Sequence, residues 1–521
     1  MLLAVSRPRL RFARAAWHGP RAWVAALSAG MTLAIVWAFC AGVTVWTPAA
    51  LVAVPLVALT AIWISGGAAT ALLGIALPAP ARAPVPEGWT PVSRTAILVM
   101  LCKEAPEPLA GHLVALHAGL ARARLDGATQ IFVLSDTFGA DLVRQEEAAL
   151  HPLMAAGVLR YRRRARNTGR KPGNIAEWVS THGDLFDHML VLDADSRMTP
   201  RRIRRMIWQM EQRPRLGLLQ AGIALRPGTT RLGRHQRGSA RLLSRGFGRG
   251  FAAWSGDSSN YWGHNAIIRL AAFRTATSLP VLPGRAPFGG PLLSHDFIEA
   301  AWIRRAGWAV ALDPDSSGSA EEAPQSVAAL LSRDRRWCQG NLQHLRLLAE
   351  PGLDPVSRVH LAMGILSYIV APAWVILVAL IASGGVSVVG VLPLIVVAAV
   401  LLVPKLCALI DGWRRARTAK RRAVVSRAWA AELAVSSVIA PLVLLRQAGS
   451  VAAVCLGRDC GWKSGNRRDP ALPPGLSEAA VGAGLVAVGT LAAGPAALWL
   501  APVALPLCFA PLVIRVMDAP A

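Results

Sequence analysis

Long apolar windows and one long polar block divide this chain. Windows of about 20 apolar residues, the length that crosses about 30 Å of hydrocarbon, lie near both ends of the sequence. They cover residues 23–43, 51–74, 360–381, 386–409, 479–498 and 499–516. The pattern predicts three regions: 1–81 with a basic segment and two transmembrane helices, 82–359 as a polar domain, and 360–521 as a second transmembrane region with at least four spans.

One apolar segment does not fit a simple crossing. Residues 429–456 carry Pro441 and Arg446 and have basic sequence at both ends. Their length of about 28 residues is too short for two full crossings at about 1.5 Å per residue. We therefore predict an interfacial or re-entrant segment near 429–456, or a bent pair of short helices.

Inside the polar block, short apolar runs alternate with amphipathic stretches. Runs typical of strands start at Ala96, Gln130, Val158, His188 and Leu216. This alternation predicts an open α/β domain with a mostly parallel, Rossmann-like sheet, inserted between α-helical transmembrane bundles. Ligands bind beyond the carboxyl ends of the strands in such sheets, so functional side chains should follow the strands directly.

Four carboxylates come just after predicted strands. They are Glu104, Asp136, Asp193 and Asp195. Four negative charges at one sheet edge would repel each other unless a cation lay among them. Asp193 and Asp195 are two residues apart in the string VLDAD, and such a pair suits a divalent metal held against a diphosphate. The helix after this pair has its expected start, with Thr199 as N-cap before a proline.

A basic loop with glycines offers a second positive element near that edge. Its core reads YRRRARNTGRKPGN. Lys171, Gly173 and Asn174 end this loop where it leads into a helix, and they suit an anionic ligand such as a diphosphate. Two interpretations stay open for residues 162–166: contact with that ligand, or a solvated or lipid-facing surface.

The net charge of +26 narrows the class of partner. Basic clusters at 7–21, 414–427 and 458–468 lie beside the apolar windows, as the positive-inside rule expects for cytoplasmic flanks. No recognisable nucleic-acid module accompanies the charge, so we expect a bilayer and no nucleic acid as partner. The rule places the N-terminus, the polar block and the 411–427 loop in the cytoplasm.

The order of several motifs resembles a known family. VLSD, KPGN, DAD, YWGHNAIIR, SHDF and RDRRW follow one another as in membrane glycosyltransferases of family 2, which have a GT-A type nucleotide-sugar transferase domain. The strings LPVLPGRAPFGG, LLSHDFIEAAWIRRAGW and RDRRWCQGNLQH are similar to those of the glucans biosynthesis glucosyltransferase H family. The resemblance implies a processive, inverting glucosyltransferase of the bacterial inner membrane. It would use UDP-glucose to build the β-1,2-linked backbone of osmoregulated periplasmic glucans.

The resemblance also implies roles for individual residues. Asp296 would be the general base, Arg336 would offset the charge of the pyrophosphate, and the Trp337 ring would form the floor of the acceptor sugar site. Asp195, together with Asp193, would hold Mg²⁺ or Mn²⁺. The residues implied in nucleotide-sugar binding are Glu104, Asp136, Lys171, Gly173, Asn174, Asp193 and Trp262.

Two positions depart from the family's pattern. Arg333 stands where the usual QxxRW motif has Gln, and Cys102-Lys103-Glu104 stands where Tyr-Asn-Glu is usual. The first change resembles the glucosyltransferase H group, and the second leaves the nucleotide contacts open. Acyl carrier protein and periplasmic glucan proteins are further partners that the resemblance implies. A synthase of another sugar polymer, such as cellulose or an N-acetylglucosamine polymer, and a non-enzymatic membrane scaffold remain alternatives.

Lys405 is an unusual residue for the interior of an apolar window. A charge there is unfavourable unless it faces protein or water. Two interpretations stay open. Lys405 lines a path by which the growing glucan crosses, or it snorkels toward the basic flank a few residues away.

Overall fold

Two sheets form the centre of the polar block. A computed structural model describes residues 19–78, 84–276, 279–460, 473–493, 498 and 500–521. The strands are β1 (Thr95–Leu101), β2 (Thr129–Ser135), β3 (Arg160–Arg163), β4 (His188–Asp193), β5 (Arg197–Met198), β6 (Leu216–Ala221), β7 (Ala224–Leu225), β8 (Ala266–Arg269), β9 (Ala309–Asp313) and β10 (Ser319–Glu321).

The larger sheet has seven strands in the order β3-β2-β1-β4-β8-β6-β9. All neighbours are parallel except that β8 runs antiparallel to both β4 and β6. The prediction of a mostly parallel α/β sheet is therefore confirmed. A small sheet, β5-β10-β7, lies beyond the carboxyl ends of the large one.

Helices cover both faces of the large sheet. They are α3 (Pro106–Arg122), α4 (Ala140–Ala155), α5 (Arg170–His182), α6 (Pro200–Gln212), α8 (Leu270–Arg274) and α9 (His295–Arg305), whereas α10 (Val327–Gln343) packs against the long apolar helices that follow it in the chain. Successive residues of a strand point to opposite faces. Ile97 of β1 accordingly packs in one apolar cluster with α3 and α6, while Leu98 packs in the other with α5 and α9. The side chain of Thr199 caps α6 by accepting from the amide of Arg202, as predicted.

The remaining long helices are strongly apolar. They are α1 (Pro20–Gly42), α2 (Pro48–Ala76), α11 (Pro355–Ala382), α12 (Leu392–Arg415), α13 (Ala419–Cys455), α14 (Leu476–Ala493), α15 (Ala501–Cys508) and α16 (Ala510–Asp518). Within the described residues, the first five of these are long and apolar enough to cross a membrane. The bent pair α15 and α16 would form a sixth crossing if counted as one. The chain is a multi-pass membrane protein.

The helices differ from the predicted windows at two places. Residues 429–455 belong to the single continuous helix α13 of 37 residues rather than to a bent pair of short helices, and the interfacial placement of this segment stays a prediction. Arg446, one of the residues that argued against a crossing, pairs with Glu478 at the start of α14. The window 499–516 is instead two helices bent by 65°. Much of the basic flanks 7–21 and 458–468 lies outside the described residues.

A long amphipathic helix, α7 (Arg231–Ser255), lies between the sheet domain and the membrane helices. On the domain side, a Cβ at Gly248 would lie 3.5 Å from Pro314. On the membrane side, a Cβ at Gly250 would lie only 2.0 Å from the carbonyl oxygen of Thr70 in α2. Small residues at a spacing of four allow two helix backbones to approach this closely. Gly250 of α7 and Gly74 of α2, whose Cβ would lie 1.8 Å from the carbonyl oxygen of Gly246, therefore allow α7 to pack closely on α2.

The substitution Gly250→Ala is expected to lower the midpoint of thermal unfolding in detergent, because the new methyl group would overlap the Thr70 carbonyl. Overpacking of this kind costs about 1–3 kcal/mol. Gly246→Ala is the matched control, since its Cβ would meet only the Ile75 side chain at 3.6 Å, an ordinary contact. Equal midpoints for the two variants would contradict this account of the α7–α2 packing.

Lys405 lies between α12 and α13. Its ammonium is 2.9 Å from a carboxylate oxygen of Glu432 and donates to Ser436 Oγ at 2.7 Å. The second oxygen of Glu432 is 3.3 Å from His235 of α7. The charge of Lys405 is thus balanced within the helix packing, and its two predicted roles stay predictions.

Candidate active site

A cavity of about 990 Å³ opens at the carboxyl edge of the seven-stranded sheet. Nine of the eleven site residues predicted from sequence line it: Glu104, Asp136, Lys171, Asp193, Asp195, Trp262, Asp296, Arg336 and Trp337. They lie at or just after the ends of β1, β2 and β4, in the first turns of α5 and α9, before β8 or on α10. Elements far apart in sequence thus bring carboxylates, cations and aromatic rings to one edge.

Asp136 is held by an arginine that the sequence did not single out. The guanidinium of Arg164 donates to both carboxylate oxygens, at 2.8 and 2.9 Å, and both side chains are buried. The same guanidinium donates to the carbonyl oxygens of Thr168 and Arg170 at 2.9 and 3.0 Å. Arg164 therefore ties the end of β2 to the loop that begins α5, and residues 162–166 are not simply a solvated surface.

Lys171, in the first turn of α5, reaches across the cavity edge. Its ammonium donates to Asp193 Oδ1 and, at 2.7 Å, to the carbonyl oxygen of Gly263. The other two residues predicted in this motif do not line the cavity. A Cβ at Gly173 would lie 2.1 Å from the Thr168 carbonyl, so this glycine allows the tight start of α5. Asn174 is fully buried, with Arg162 donating to its side-chain oxygen.

Asp193 and Asp195 form the candidate metal site. Burial raises the pKa of Asp195, the neighbouring Asp193 carboxylate raises it further, and His264 opposes the shift. Among the described residues, no group of three or more His, Cys, Asp or Glu is placed to hold a metal by itself. Two carboxylates fit Mg²⁺ or Mn²⁺ that takes its other ligands from substrate phosphates and water.

His264 and Glu321 are cavity residues without a role assigned from the sequence. His264 Nε2 lies 3.0 Å from a carboxylate oxygen of Glu321, which ends β10 of the small sheet. Burial lowers the pKa of His264, but the carboxylates of Asp193 and Glu321 outweigh burial and place it at about 9. The GHN string before β8 was a visible signal for His264. No sequence motif pointed to Glu321, because only the fold brings β10 beside the carboxyl edge of the large sheet.

Asp296 lies in the first turn of α9 with its carboxylate beside Gly263. A Cβ at that glycine would be 3.6 Å from Asp296 Oδ2. Burial raises the pKa of Asp296, His295 lowers it and Glu299 raises it again. His295 is turned to Glu299, 3.2 Å away. A carboxyl with a raised pKa that faces a cavity is suited to accept a proton.

Three residues of α10 face the carboxylates from the opposite side. Arg333, Arg336 and Trp337 all line the cavity, and the Arg333 guanidinium stacks on the Trp337 ring at 4.6 Å. Trp337 remains 49% exposed, so its other surface is open to a ligand. In the described part of the chain, Nε of Arg333 is buried without a hydrogen-bond partner. Asp334 accepts from Tyr368 of α11 at 3.2 Å and fixes α10 to the membrane helices.

The cavity continues from the sheet edge toward the membrane helices. Its far lining comes from α2, α7 and α11 and comprises Trp63, Phe251, His360, Met363, Gly364, Ser367 and Tyr368. Aromatic rings in such a lining can stack on sugar faces. The arrangement combines a charged region at the sheet with a more apolar region beneath the bundle.

Comparison with known proteins places this chain among glycosyltransferases. A family described as glycosyl transferase family group 2 matches residues 188–403. The glucans biosynthesis glucosyltransferase H of Cereibacter sphaeroides is 38% identical over 491 residues, covering 87% of this chain and 82% of the relative. The protein of the same name from Vibrio cholerae is 38% identical over 460 residues, covering 82% of this chain. The chain spans 64% of the length of that relative.

One solved structure is also similar. It is the mannosyltransferase PcManGT from Pyrobaculum calidifontis in complex with GDP-Man and Mn²⁺. The two chains are 14% identical, with a TM-score of 0.45 over 78% of this chain and 98% of that one.

Proposed function

Because the chain belongs to the glucans biosynthesis glucosyltransferase H family, we propose that it transfers glucosyl residues from UDP-glucose to a growing β-glucan, with inversion at the sugar C1. The proposal rests chiefly on one observation: the candidate metal carboxylates, Asp296 and the α10 arginines meet in one cavity. By family likeness the product is the β-1,2-linked backbone of periplasmic glucans, made at the bacterial inner membrane with the catalytic domain in the cytoplasm.

The donor would bind along the carboxyl edge of the sheet. Asp136, fixed by Arg164, and Glu104 would contact the nucleoside, and Lys171 would stand beside the diphosphate. Asp195 and Asp193 would hold the divalent ion, which as a Lewis acid offsets charge on the departing diphosphate. Trp262 would border the sugar. Its backbone amide donates to the side-chain oxygen of Gln220 at 3.0 Å, which fixes the position of this residue.

The transfer step would use Asp296 as general base. Its carboxylate takes the proton of the acceptor hydroxyl while that oxygen forms a bond to the sugar C1. The bond between C1 and the diphosphate oxygen breaks on the opposite side, and UDP leaves with the bonding electrons. Trp337 offers its exposed ring surface to the acceptor sugar. The cavity's continuation toward α2 and α11 gives room for several acceptor residues, which supports a processive reaction.

Arg333 is expected to share the diphosphate with Arg336. Arg333→Gln, which restores the usual residue of the motif, should weaken UDP binding roughly 10- to 100-fold, the effect of losing about 1.5–3 kcal/mol from a charged hydrogen bond. Binding of uridine should change little, because uridine lacks phosphates. Titration calorimetry with both ligands measures this difference. Arg335→Gln is the control, as Arg335 does not line the cavity.

The experiment that tests the function is turnover by the purified full chain in membranes. UDP release and labelled polymer would be followed with UDP-glucose and with UDP-N-acetylglucosamine, with Mg²⁺, with Mn²⁺ and with chelator. Glucan made only from UDP-glucose and only with a divalent ion supports the proposal, and linkage analysis of the product tests the β-1,2 bond. Polymer from the other donor would instead favour a different synthase. Acyl carrier protein and periplasmic glucan proteins stay predicted partners.

A further inference from the structure

The second half of the string RDRRWCQGNLQH, residues 339–344, takes no part in the reaction proposed for this protein. Its polar side chains are nevertheless buried, and they are Gln339, Asn341, Gln343 and His344. Buried polar groups are normally satisfied by hydrogen bonds, so their partners show what they hold in place. For Gln343 and His344 these partners lie in the turn before α9, the helix that carries Asp296.

His344, the C-cap residue of α10, is fully buried, and its Nε2 lies 2.8 Å from the carbonyl oxygen of Ser294. Burial lowers the pKa of this imidazole to about 4, with the Ser294 carbonyl opposing the shift, so the ring is neutral at physiological pH. A carbonyl oxygen can only accept, so the single ring hydrogen lies on Nε2 and is donated to Ser294. Ser294 is the N-cap residue of α9, two residues before Asp296.

Gln343 holds the residues that precede Ser294. Its side-chain oxygen accepts from the backbone amide of Leu293 at 3.0 Å. Its side-chain nitrogen donates to the carbonyl oxygens of Gly289 and Pro291, at 3.4 Å each. Backbone groups of three residues in the segment before α9 thus depend on one side chain of α10.

The same face of α10 also reaches the cavity. Arg336, Gly340 and Gln343 are spaced by four and three residues, which places them on one face of the helix. Arg336 lines the cavity, whereas Gln343 holds the turn before α9. Between them the contact is close, because a Cβ at Gly340 would lie 2.2 Å from Ser294 Oγ. One helix therefore spans from the proposed diphosphate site to the turn that carries the proposed base.

We propose that Gln343 and His344 are positioning residues, which hold Asp296, through the backbone of the turn before α9, at a fixed place relative to Arg336. The inference rests on the proposed function, in which the base and the diphosphate act on opposite sides of the sugar C1. Such a displacement requires aligned groups, and a misplacement of about 1 Å can cost about 10²-fold in rate. Neither Gln343 nor His344 lines the cavity, so both act through the residues that they hold.

The test compares variants of the full chain. His344→Leu removes the donor to the Ser294 carbonyl and keeps a buried side chain. His344→Gln is the conservative variant, because its amide nitrogen can donate from near the position of Nε2. His188→Leu is the matched control, since His188 is also buried and burial also lowers its pKa to about 4. His188 begins β4, at the opposite end of that strand from Asp193 and the cavity.

Two quantities are measured: initial rates of UDP release over a range of UDP-glucose concentrations, and hydrogen–deuterium exchange of residues 290–297 by mass spectrometry. We expect His344→Leu to lower kcat roughly 10- to 100-fold and to leave KM for UDP-glucose unchanged, because the donor-binding groups are untouched. Exchange in residues 290–297 should become faster, since a turn without its anchor opens more readily. His344→Gln should recover most of the rate, and His188→Leu should match the wild type in both measurements.

Gln343→Met, which removes the acceptor of the Leu293 amide, should act in the same direction, and it carries the comparison if His344→Leu does not fold. A His344→Gln variant no more active than His344→Leu, or a rise in KM as large as the fall in kcat, would overturn the positioning role. Unchanged exchange in residues 290–297 would overturn the anchoring itself. Exchange needs no turnover, so it decides the anchoring even if the full chain transfers no glucose, the result that would contradict the proposed function.

Discussion

Asp296→Asn is expected to lower kcat for glucosyl transfer roughly 10²- to 10⁴-fold, the contribution of a positioned general base. The amide keeps the size of the side chain beside Gly263 but cannot accept the acceptor's proton. Binding of UDP should persist, because the groups assigned to the nucleotide and the diphosphate are unchanged. Initial rates of UDP release, measured together with UDP affinity, separate loss of chemistry from loss of binding.

A matched control is available in Asp126, an exposed aspartate between α3 and β2 on a different surface. Asp126→Asn should leave the rate unchanged. If Asp296→Asn kept more than half of the wild-type rate, the base would have to be another cavity carboxylate, and Glu321 would become the first residue to replace. If it lost UDP binding as well, the variant would report on folding of the site rather than on the chemical step.

Arg164→Met is expected to lower the midpoint of thermal unfolding on the order of 10 °C. The substitution leaves the buried Asp136 carboxylate without its bidentate partner, and breaking one side of a buried ion pair costs about 3–5 kcal/mol. It also removes the donor to the carbonyl groups that shape the start of α5. Differential scanning fluorimetry of the full chain in detergent gives the midpoint.

A double variant sharpens this prediction. Arg164→Met with Asp136→Asn removes both charges, so it should be more stable than Arg164→Met alone. Arg160→Met, at the exposed start of β3, is the control and should have the wild-type midpoint. If the double variant were the least stable of the set, the pair would owe its effect to hydrogen-bond geometry rather than to an unpaired buried charge.

The sheet and its carboxylates could be predicted because both depend on local sequence. An apolar run followed at once by an acidic residue identifies a strand and its functional end, and Asp136 and Asp193 lie where this rule puts them. The glycine and asparagine of the KPGN string show the limit of such reasoning. Lys171 faces the cavity, but the tight start of α5 turns Gly173 and Asn174 into the protein. Motif membership alone does not show which way a side chain points.

What could not be predicted depends on pairs of residues far apart in the chain. Arg164 looked like one of several loop arginines until the fold placed it against Asp136. The antiparallel strand β8 begins at the edge where its neighbours end, so the residues before it, including His264, reach the site. The continuous helix α13 was missed for the same reason, since the partner of Arg446 lies on another helix. Only three-dimensional packing identifies these partners.

The ion pair of Lys405 and Glu432 has a consequence for how this protein enters the bilayer. A single charged residue at the centre of a crossing helix costs about 2.5–3.5 kcal/mol on scales derived from cellular insertion. If α12 entered the lipid alone, Lys405 would carry part of that cost, and α13 alone would bring in an unbalanced carboxylate. Together each residue is the counter-ion of the other, 2.9 Å apart. Assembly in the membrane is therefore favoured when the two helices leave the insertion machinery side by side, as one hairpin.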